Sequence, residues 1–463
     1  MNYNTEAINS VANSCAKLFE KMLETEGQEL VTIAEIENGM REMLREIGKQ
    51  MLGVFLNSMQ ATAESEIACP CGGELKYQRM RPATLISVFG RVTYERAYYA
   101  GCECKRGLSP LDKRFGLEPG AVTAGLAKLL ALTGIGHSYD ESPKWLEAFL
   151  LFSVSENTVR SETEKMGALQ AKLEEEWIQK SQDETYLQER QRNPGKIVPR
   201  LYGSMDAAKV RIEPRPRKGK AVEKHEDWRD MKVLCWFEAE KVPPAQRSAR
   251  HLEKVERHHV PLRAKNIQYF ADITEAENFG KLLWATGCTI NADLSPELVF
   301  LGDGAVWIWK LVDQYYPNAI QIVDWYHAEE YLENVATAAF SSQSERFTWL
   351  EKITQALWDG RVEKVIRACA ALDPSCDEAR KAVSYFSNNI DRMRYDRFRS
   401  NGLMIGSGIV ESGCKQIVTQ RLKLPGAQWL VSGAVQTAKA RSAWLSGAWH
   451  SLCLHRSALP LAV

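Results

Sequence analysis

Leu298-Val299-Phe300-Leu301-Gly302-Asp303-Gly304 is an apolar run of strand length that ends in an acid held between two glycines. A short uninterrupted apolar run reads as a strand buried on both faces. An acid just past such a strand, beside glycines that let a ligand approach, is where open α/β sheets put their chemistry. Working outward, further strands are expected at Leu201–Ala207, at Met231–Ala239, around Ile267–Ile273 and at Ile320–Val323, with helices at 275–288, 305–315 and 328–339.

Strand, strand, strand, helix, strand, helix, strand, helix is the order of a ribonuclease-H-like α/β core, expected here over 200–339. Residues 340–400, from Phe347-Thr348-Trp349-Leu350 through Met393, contain no convincing strand and read as an all-α insertion. A final core helix beginning near Ile405 and a basic tail fill 401–463. The expected class is therefore multidomain α+β, with an amino-terminal part of different character. Residues 1–66 show helical apolar spacing (Ile33, Ile36, Met40, Met43, Leu44, Ile47, Met51) and predict two amphipathic helices over 6–26 and 32–60. Over 67–110 the pattern turns to β, with Leu85, Val88, Val92, Tyr94, Tyr98 and Tyr99 around Gly90 as a hairpin. Residues 111–170 read as a helix-turn-helix, from Ala121–Leu132 through Glu141–Phe152 to Glu156–Met166. Ser155 is the N-cap candidate for its last helix, Ser138 or Ser142 for the one before. Residues 171–199 read as a linker helix.

The 463 residues carry 59 basic and 59 acidic side chains, which excludes only a uniformly basic nucleic-acid binder. The charge is segregated. Residues 1–68 hold eleven acids against five bases, whereas from Ser412 to the end there is no Asp or Glu but Lys415, Arg421, Lys423, Lys439, Arg441 and Arg456. The carboxy-terminal region is thus the anion-binding candidate. No apolar run reaches the length of a membrane span and the first residues lack a secretory pattern, so a cytoplasmic protein is expected. Its eleven cysteines are too few and too uneven for a disulfide scaffold.

Asp206, at the end of the first core strand, Asp303 and Glu411, on a helix in Gly406-Ser407-Gly408-Ile409-Val410-Glu411-Ser412, are acids on three different elements. Carboxylates converging in this way are what two divalent metals about 4 Å apart require for in-line phosphoryl displacement. Glu411 could instead pair with Lys415 one turn on. Asp324, also at a strand end, rivals Asp303 as the second ligand.

Gly302-Asp303-Gly304 through Tyr316-Pro317-Asn318-Ala319, then Ile322-Val323-Asp324-Trp325-Tyr326-His327-Ala328-Glu329-Glu330-Tyr331-Leu332, resembles the second-aspartate region of bacterial DDE transposases of the ISKra type, relatives of the Mutator-like and ISL-type enzymes. Gly406–Ser412 with Lys415 and Arg421 resembles the glutamate helix of that family. The resemblance implies cleavage and joining of double-stranded DNA at the terminal inverted repeats of an insertion sequence and at a target, by Asp206, Asp303 and Glu411 with two Mg2+ ions, for which Mn2+ can substitute. Two-ended chemistry implies a homodimer or larger. A catalytically inactive DNA-binding regulator and a metal-dependent nuclease without joining activity stay open as alternatives. Asp324-Trp325-Tyr326-His327 resembles the element this group carries after its second aspartate. There His327 would serve as donor or proton carrier at the scissile phosphate, or simply as a first-turn helix residue capped by Asp324.

Cys69-Pro70-Cys71 and Cys102-Glu103-Cys104 would form a four-thiolate Zn2+ site over the hairpin, with one residue inside each pair where two are usual. The hairpin's basic edge (Lys76, Arg79, Arg81, Arg91, Arg96) could touch DNA phosphates. So could Asn157, Thr158 and Arg160, which start the last helix of the helix-turn-helix. Lys209 and Arg211, continued by Arg215, Arg217, Lys218 and Lys220, form a basic run after Asp206; with Lys415, Arg421 and Lys423 they are the remaining phosphate candidates. Trp307, Trp309, Trp325, Trp349 and Trp358 either stack on an unpaired base or pack in the core.

Overall fold

A computed structural model describes residues 5–26, 32–59, 64–213, 227–242 and 262–458. Its contacts fall into two units, residues 1–166 with 451–463, and residues 167–450. The basic residues Arg215, Arg217, Lys218 and Lys220 lie outside the described residues.

In the first unit, α1 (Thr5–Glu26) and α2 (Ile33–Ser58) pair as the apolar spacing predicts. A capping box starts α2: Thr32 N–H donates to the Glu35 carboxylate at 2.7 Å, and Glu35 N–H donates to Thr32 Oγ1 at 3.4 Å. Strands β1 (Glu66–Ala68), β2 (Glu74–Ser87) and β3 (Gly90–Ala100) form an antiparallel sheet. Its hairpin turns between Ser87 and Gly90, whose φ of 99° supplies the left-handed turn residue. Leu85, Val92 and Tyr94 are buried beneath it with Leu56 of α2. Arg96 departs from the expected basic edge. It points inward and pairs with the buried Asp112, which also accepts from the Tyr94 hydroxyl at 2.7 Å, so it is not available to a phosphate.

Helices α3 (Pro110–Phe115), α4 (Ala124–Gly136), α5 (Ser142–Leu150) and α6 (Glu156–Lys180) follow. Gly134 brings α4 against α6, since a Cβ there would stand 2.1 Å from Thr163 Oγ1. Ser155 caps α6 as expected, accepting from Thr158 N–H at 3.2 Å. The cap expected at Ser138 or Ser142 does not form. Ser142 is already the first residue of α5, and its hydroxyl donates back to the Ser138 carbonyl.

In the second unit, the segment expected to be a linker is packed structure. The carboxyl half of α6 buries Glu174, and α7 (Glu184–Arg192) buries Arg190, which pairs with Asp293 at 2.6 Å. A five-stranded sheet forms from β4 (Arg200–Ile212), β5 (Asp227–Lys241), β6 (Leu262–Asp272), β7 (Glu297–Gly302) and β8 (Ile320–Val323), in the order β6-β5-β4-β7-β8. The first three are antiparallel neighbours; β7 and β8 join in parallel. Parallel neighbours need crossovers, and α8 (Ala276–Thr289) and α9 (Val306–Tyr315) supply them. Trp236, Phe300 and Tyr316 interlock in the core, ring centroids 5.4–5.8 Å apart.

After α10 (Trp325–Ala339), residues 340–400 are helical as expected: α11 (Gln343–Trp358), α12 (Val362–Ala370), α13 (Asp377–Asn388) and α14 (Tyr395–Ser400). The chain then returns to the sheet as α15 (Gly408–Cys414), passes through a π turn at Lys415–Thr419 into α16 (Gln420–Leu422), and continues to α17 (Val431–Leu445) and α18 (Trp449–Ala458). Among the described residues, no helix is long and apolar enough to cross a membrane.

Lys439 of α17 is only 3% exposed, between the carboxylates of Glu174 and, at 2.8 Å, Asp272. Lys439→Ala leaves both acids without their cation and should cost about 3–5 kcal/mol, read as a lower unfolding midpoint of this unit in denaturant titration.

Candidate active site and metal centre

The parallel ladder between β4 and β7 ends at the pair Ser204 and Leu301. Beyond it β4 keeps its antiparallel partner β5 and runs on to Ile212, where a parallel bridge to Trp429 follows. Asp206 therefore lies within a strand, two residues past the end of the parallel pairing, rather than at the strand's end as expected. Burial pushes its carboxyl above the usual range; the Ala207 N–H, bonded to Oδ1 at 2.6 Å, works against this, and the nearby charge of Asp303 adds to it.

Asp303 follows β7 directly. Its Oδ1 accepts the Ala305 N–H at 2.8 Å, and its carbonyl accepts the Tyr385 hydroxyl at 2.9 Å. Gly304 has φ 98°, and a Cβ there would stand 2.6 Å from the Tyr385 ring, so the turn that aims Asp303 requires glycine. Glu411 arrives on α15, pressed onto the sheet by Gly413, where a Cβ would meet the Tyr269 ring at 2.7 Å. The Glu411 carboxylate accepts from Ser407 Oγ at 3.1 Å and faces His327 Nε2 at 3.8 Å. It makes no ion pair with Lys415, the other partner considered for it.

Asp324, the rival to Asp303, has different surroundings. It is fully buried and spends both oxygens on backbone: Oδ1 accepts the His327 N–H at 2.8 Å, and Oδ2 accepts the Ser407 N–H. Its own N–H donates to the Gly302 carbonyl at 2.8 Å, and the next residue, Trp325, donates to Ile405 at 2.8 Å. Of the two readings of His327, the capped first-turn residue is what these bonds show. Its backbone is capped in the first turn of α10, and its ring stands beside Glu411.

The cysteine pairs do meet. Cys69, Cys71, Cys102 and Cys104 have their sulfurs within 4.8 Å of one another, with contacts of 3.2 Å (Cys71 to Cys69), 3.3 Å (Cys71 to Cys102) and 3.5 Å (Cys69 to Cys104). A tetrahedron of sulfurs about 2.3 Å from a zinc ion has edges of roughly 3.8 Å, so this set fits a metal such as zinc. The Cys71 thiol is drawn down to about 6 by the Gly73 N–H and then by hydrogen bonds from the other three thiols. Among the described residues it is the only set of three or more metal-donor side chains drawn so close; the three acids stand wider apart.

The remaining expected residues scatter. Asn157 and Arg160 are exposed on α6 and bonded to each other at 2.9 Å, while Thr158 is half-buried against the Ser155 hydroxyl. Lys209 and Arg211 are exposed but paired with Asp230 at 2.9 Å and Glu213 at 2.7 Å. Lys415 and Lys423 are exposed. Arg421 is corrected: it is 2% exposed, its guanidinium 5.1 Å over the Trp429 ring, and no phosphate can reach it. Trp309 and Trp325 are buried; Trp325 packs edge-on against Trp358 at 4.9 Å, which is core packing.

Two residues at the acids were not foreseen. The buried Cys414 thiol donates to Asp206; lying three residues after Glu411 on one helix face, it was recognisable by spacing. Tyr326 is 64% exposed beside the 406–407 turn, and nothing in its sequence context marks that. Compared with known proteins, the chain matches no family model and no curated protein.

Two outcomes follow from this geometry. Asp324→Ala strands two backbone N–H groups and should cost about 1–3 kcal/mol for each, visible as earlier thermal unfolding. Cys71→Ser should strip bound zinc, measured by mass spectrometry of the purified protein, and lower the unfolding temperature of the first unit; a variant that keeps its zinc would remove Cys71 from the set.

Proposed function

We propose that the second unit is a ribonuclease-H-like catalytic core and that the protein is a DDE-type DNA transposase of the ISKra type. The observation that carries this reading is the joint placement of Asp206 and Asp303 at the adjacent carboxyl ends of the β4–β7 parallel pairing, with Glu411 brought back to them after an all-helical insertion. The sheet order β6-β5-β4-β7-β8, three antiparallel strands followed by two parallel ones, supports the same core.

In this reading Asp206, Asp303 and Glu411 would hold the Mg2+ ions, or Mn2+ in their place, and those ions would supply an activated oxygen nucleophile and stabilise the leaving oxygen. Carboxylate oxygens suit such hard cations. The protein's own share is orientation. Ser407 and the turn clamped by Asp324 fix Glu411, the Ala305 N–H fixes Asp303, and the Cys414 thiol with the Ala207 N–H fixes Asp206. His327, beside Glu411, is placed to exchange a proton with a leaving or attacking oxygen. The exposed cations Lys209, Arg211, Lys415 and Lys423 would meet phosphates of double-stranded DNA, and Asn157, Thr158 and Arg160 would read the inverted repeats. The protein would work as a homodimer or larger.

The test is metal-dependent nicking of a labelled duplex carrying the sequences that flank the gene. Asp206→Ala, Asp303→Ala and Glu411→Ala should each lose roughly 10²–10³-fold or more in cutting while binding the duplex as the wild type does. Cutting without joining of a pre-cut end would make the protein a nuclease. Binding without cutting under either Mg2+ or Mn2+ would make it a regulator.

A further inference from the structure

Apart from the acids, the second unit has a recess of about 190 Å³ where the last residues of β4 and the first of β5 meet the 422–428 loop. Arg211, Trp228, Leu422, Lys423 and Gly426 are among the residues that line it. Trp228 stands directly across from Arg211 in the antiparallel register, so both side chains leave the sheet on the same face. At 48% exposed, Trp228 is an indole left open where tryptophan normally seeks burial. The opposite wall is fixed. Glu213 N–H donates to the Trp429 carbonyl at 2.9 Å, Trp429 Nε1 donates to the Leu422 carbonyl at 2.9 Å, and the Arg421 guanidinium lies over the Trp429 ring. Lys423, at the rim, is exposed and has no acidic partner among the described residues.

We infer that this recess binds one unpaired nucleobase of a DNA strand, stacked on Trp228, with the adjoining phosphate on Lys423 and, more weakly, on Arg211. The inference rests on the reading of this unit as one that acts on DNA. A flat π face paired with an unneutralised cation is the arrangement that holds single strands without regard to sequence. The recess takes one planar ring system and not a duplex. Arg211 is already engaged by Glu213 at 2.7 Å, which leaves Lys423 as the main anion contact. Arg211 is five residues past Asp206, roughly 17 Å along the strand, so the recess is a separate site that holds a strand at a distance from the acids.

The experiment is fluorescence anisotropy of a short labelled single-stranded oligodeoxynucleotide, and of its duplex, with full-length protein. Trp228→Ala should weaken single-strand binding about tenfold, with duplex binding changed by less than about twofold; Trp228→Phe should retain most of the affinity. Lys423→Ala should weaken single-strand binding and lower its salt slope by about one. Independently of any variant, an oligonucleotide carrying 5-iododeoxyuridine should photocrosslink to Trp228, as mapped by mass spectrometry of the wild-type protein. Absence of single-strand binding by the wild type, equal losses on single strand and duplex in Trp228→Ala, or crosslinks elsewhere would overturn the site. Its failure is distinct from that of the transposase reading. Acid-dependent cutting with no role for Trp228 removes the recess alone, whereas Trp228-dependent binding without any cutting removes the catalytic reading alone.

Discussion

Asp324 is a carboxylate without access to water, and the geometry of the acid cluster hangs on it. A buried charge is tolerated only when its oxygens are satisfied, and here the satisfying groups are the N–H of His327 at the start of α10 and the N–H of Ser407 just before α15. Those two groups are separated by about eighty residues of chain and by the whole helical insertion. One side chain therefore ties together the end of β8, the first turn of α10 at His327 and the turn that presents Glu411. The return of the chain after the insertion is held at the sheet by Asp324, by Trp325 N–H to the Ile405 carbonyl and by Arg200 to the Gly402 carbonyl.

The second constraint is where parallel pairing stops. β7 covers β4 only as far as Ser204, and the chain that next runs beside β4 on that side is the 429 segment, which meets it at Ile212. Between these two contacts Asp206 has no parallel ladder partner. The interval leaves room for Cys414 and α15 to approach it, and Gly413 is the residue that makes the approach close enough. The π turn that follows adds a residue to one helical turn; such insertions recur where a helix serves a site.

Much of this was legible in the sequence because the signals were local. The strands of the second unit, the helical character of 340–400, the Gly90 hairpin, the Ser155 cap and the meeting of the four cysteines follow from periodicity, turn chemistry and spacing. What escaped depended on depth or on partners far along the chain. Asp324 and Asp303 look alike as acids after strands; only the structure shows that Asp324 is fully buried and bonded to two backbone N–H groups while Asp303 is half-buried. Arg96 and Arg421 look like surface cations, yet a distant Asp112 in one case and the Trp429 ring in the other draw them inside. The linker expected over 171–199 is charged enough to read as solvated, but the buried Glu174 and Arg190 each find a counterion more than a hundred residues away, a pairing that composition cannot reveal. Trp228 sits in the charged stretch Asp227-Trp228-Arg229-Asp230, where an exposed indole leaves no periodic trace.

The two clusters of candidate metal donors differ in a way that bears on their roles. Four thiols drawn within 4.8 Å of one another could hold a metal such as zinc with sulfur alone, the donor set of closed four-coordinate sites. The three carboxylates stand farther apart, each already accepting one hydrogen bond that orients it. An ion that serves proposed phosphoryl chemistry must keep positions for substrate oxygens, so a cluster closed as tightly as the cysteines would be unsuited to the task. The thiols are thus gathered into one set, whereas the carboxylates are oriented one by one, each by a donor from its own stretch of chain: the Ala207 N–H, the Ala305 N–H and the Ser407 hydroxyl.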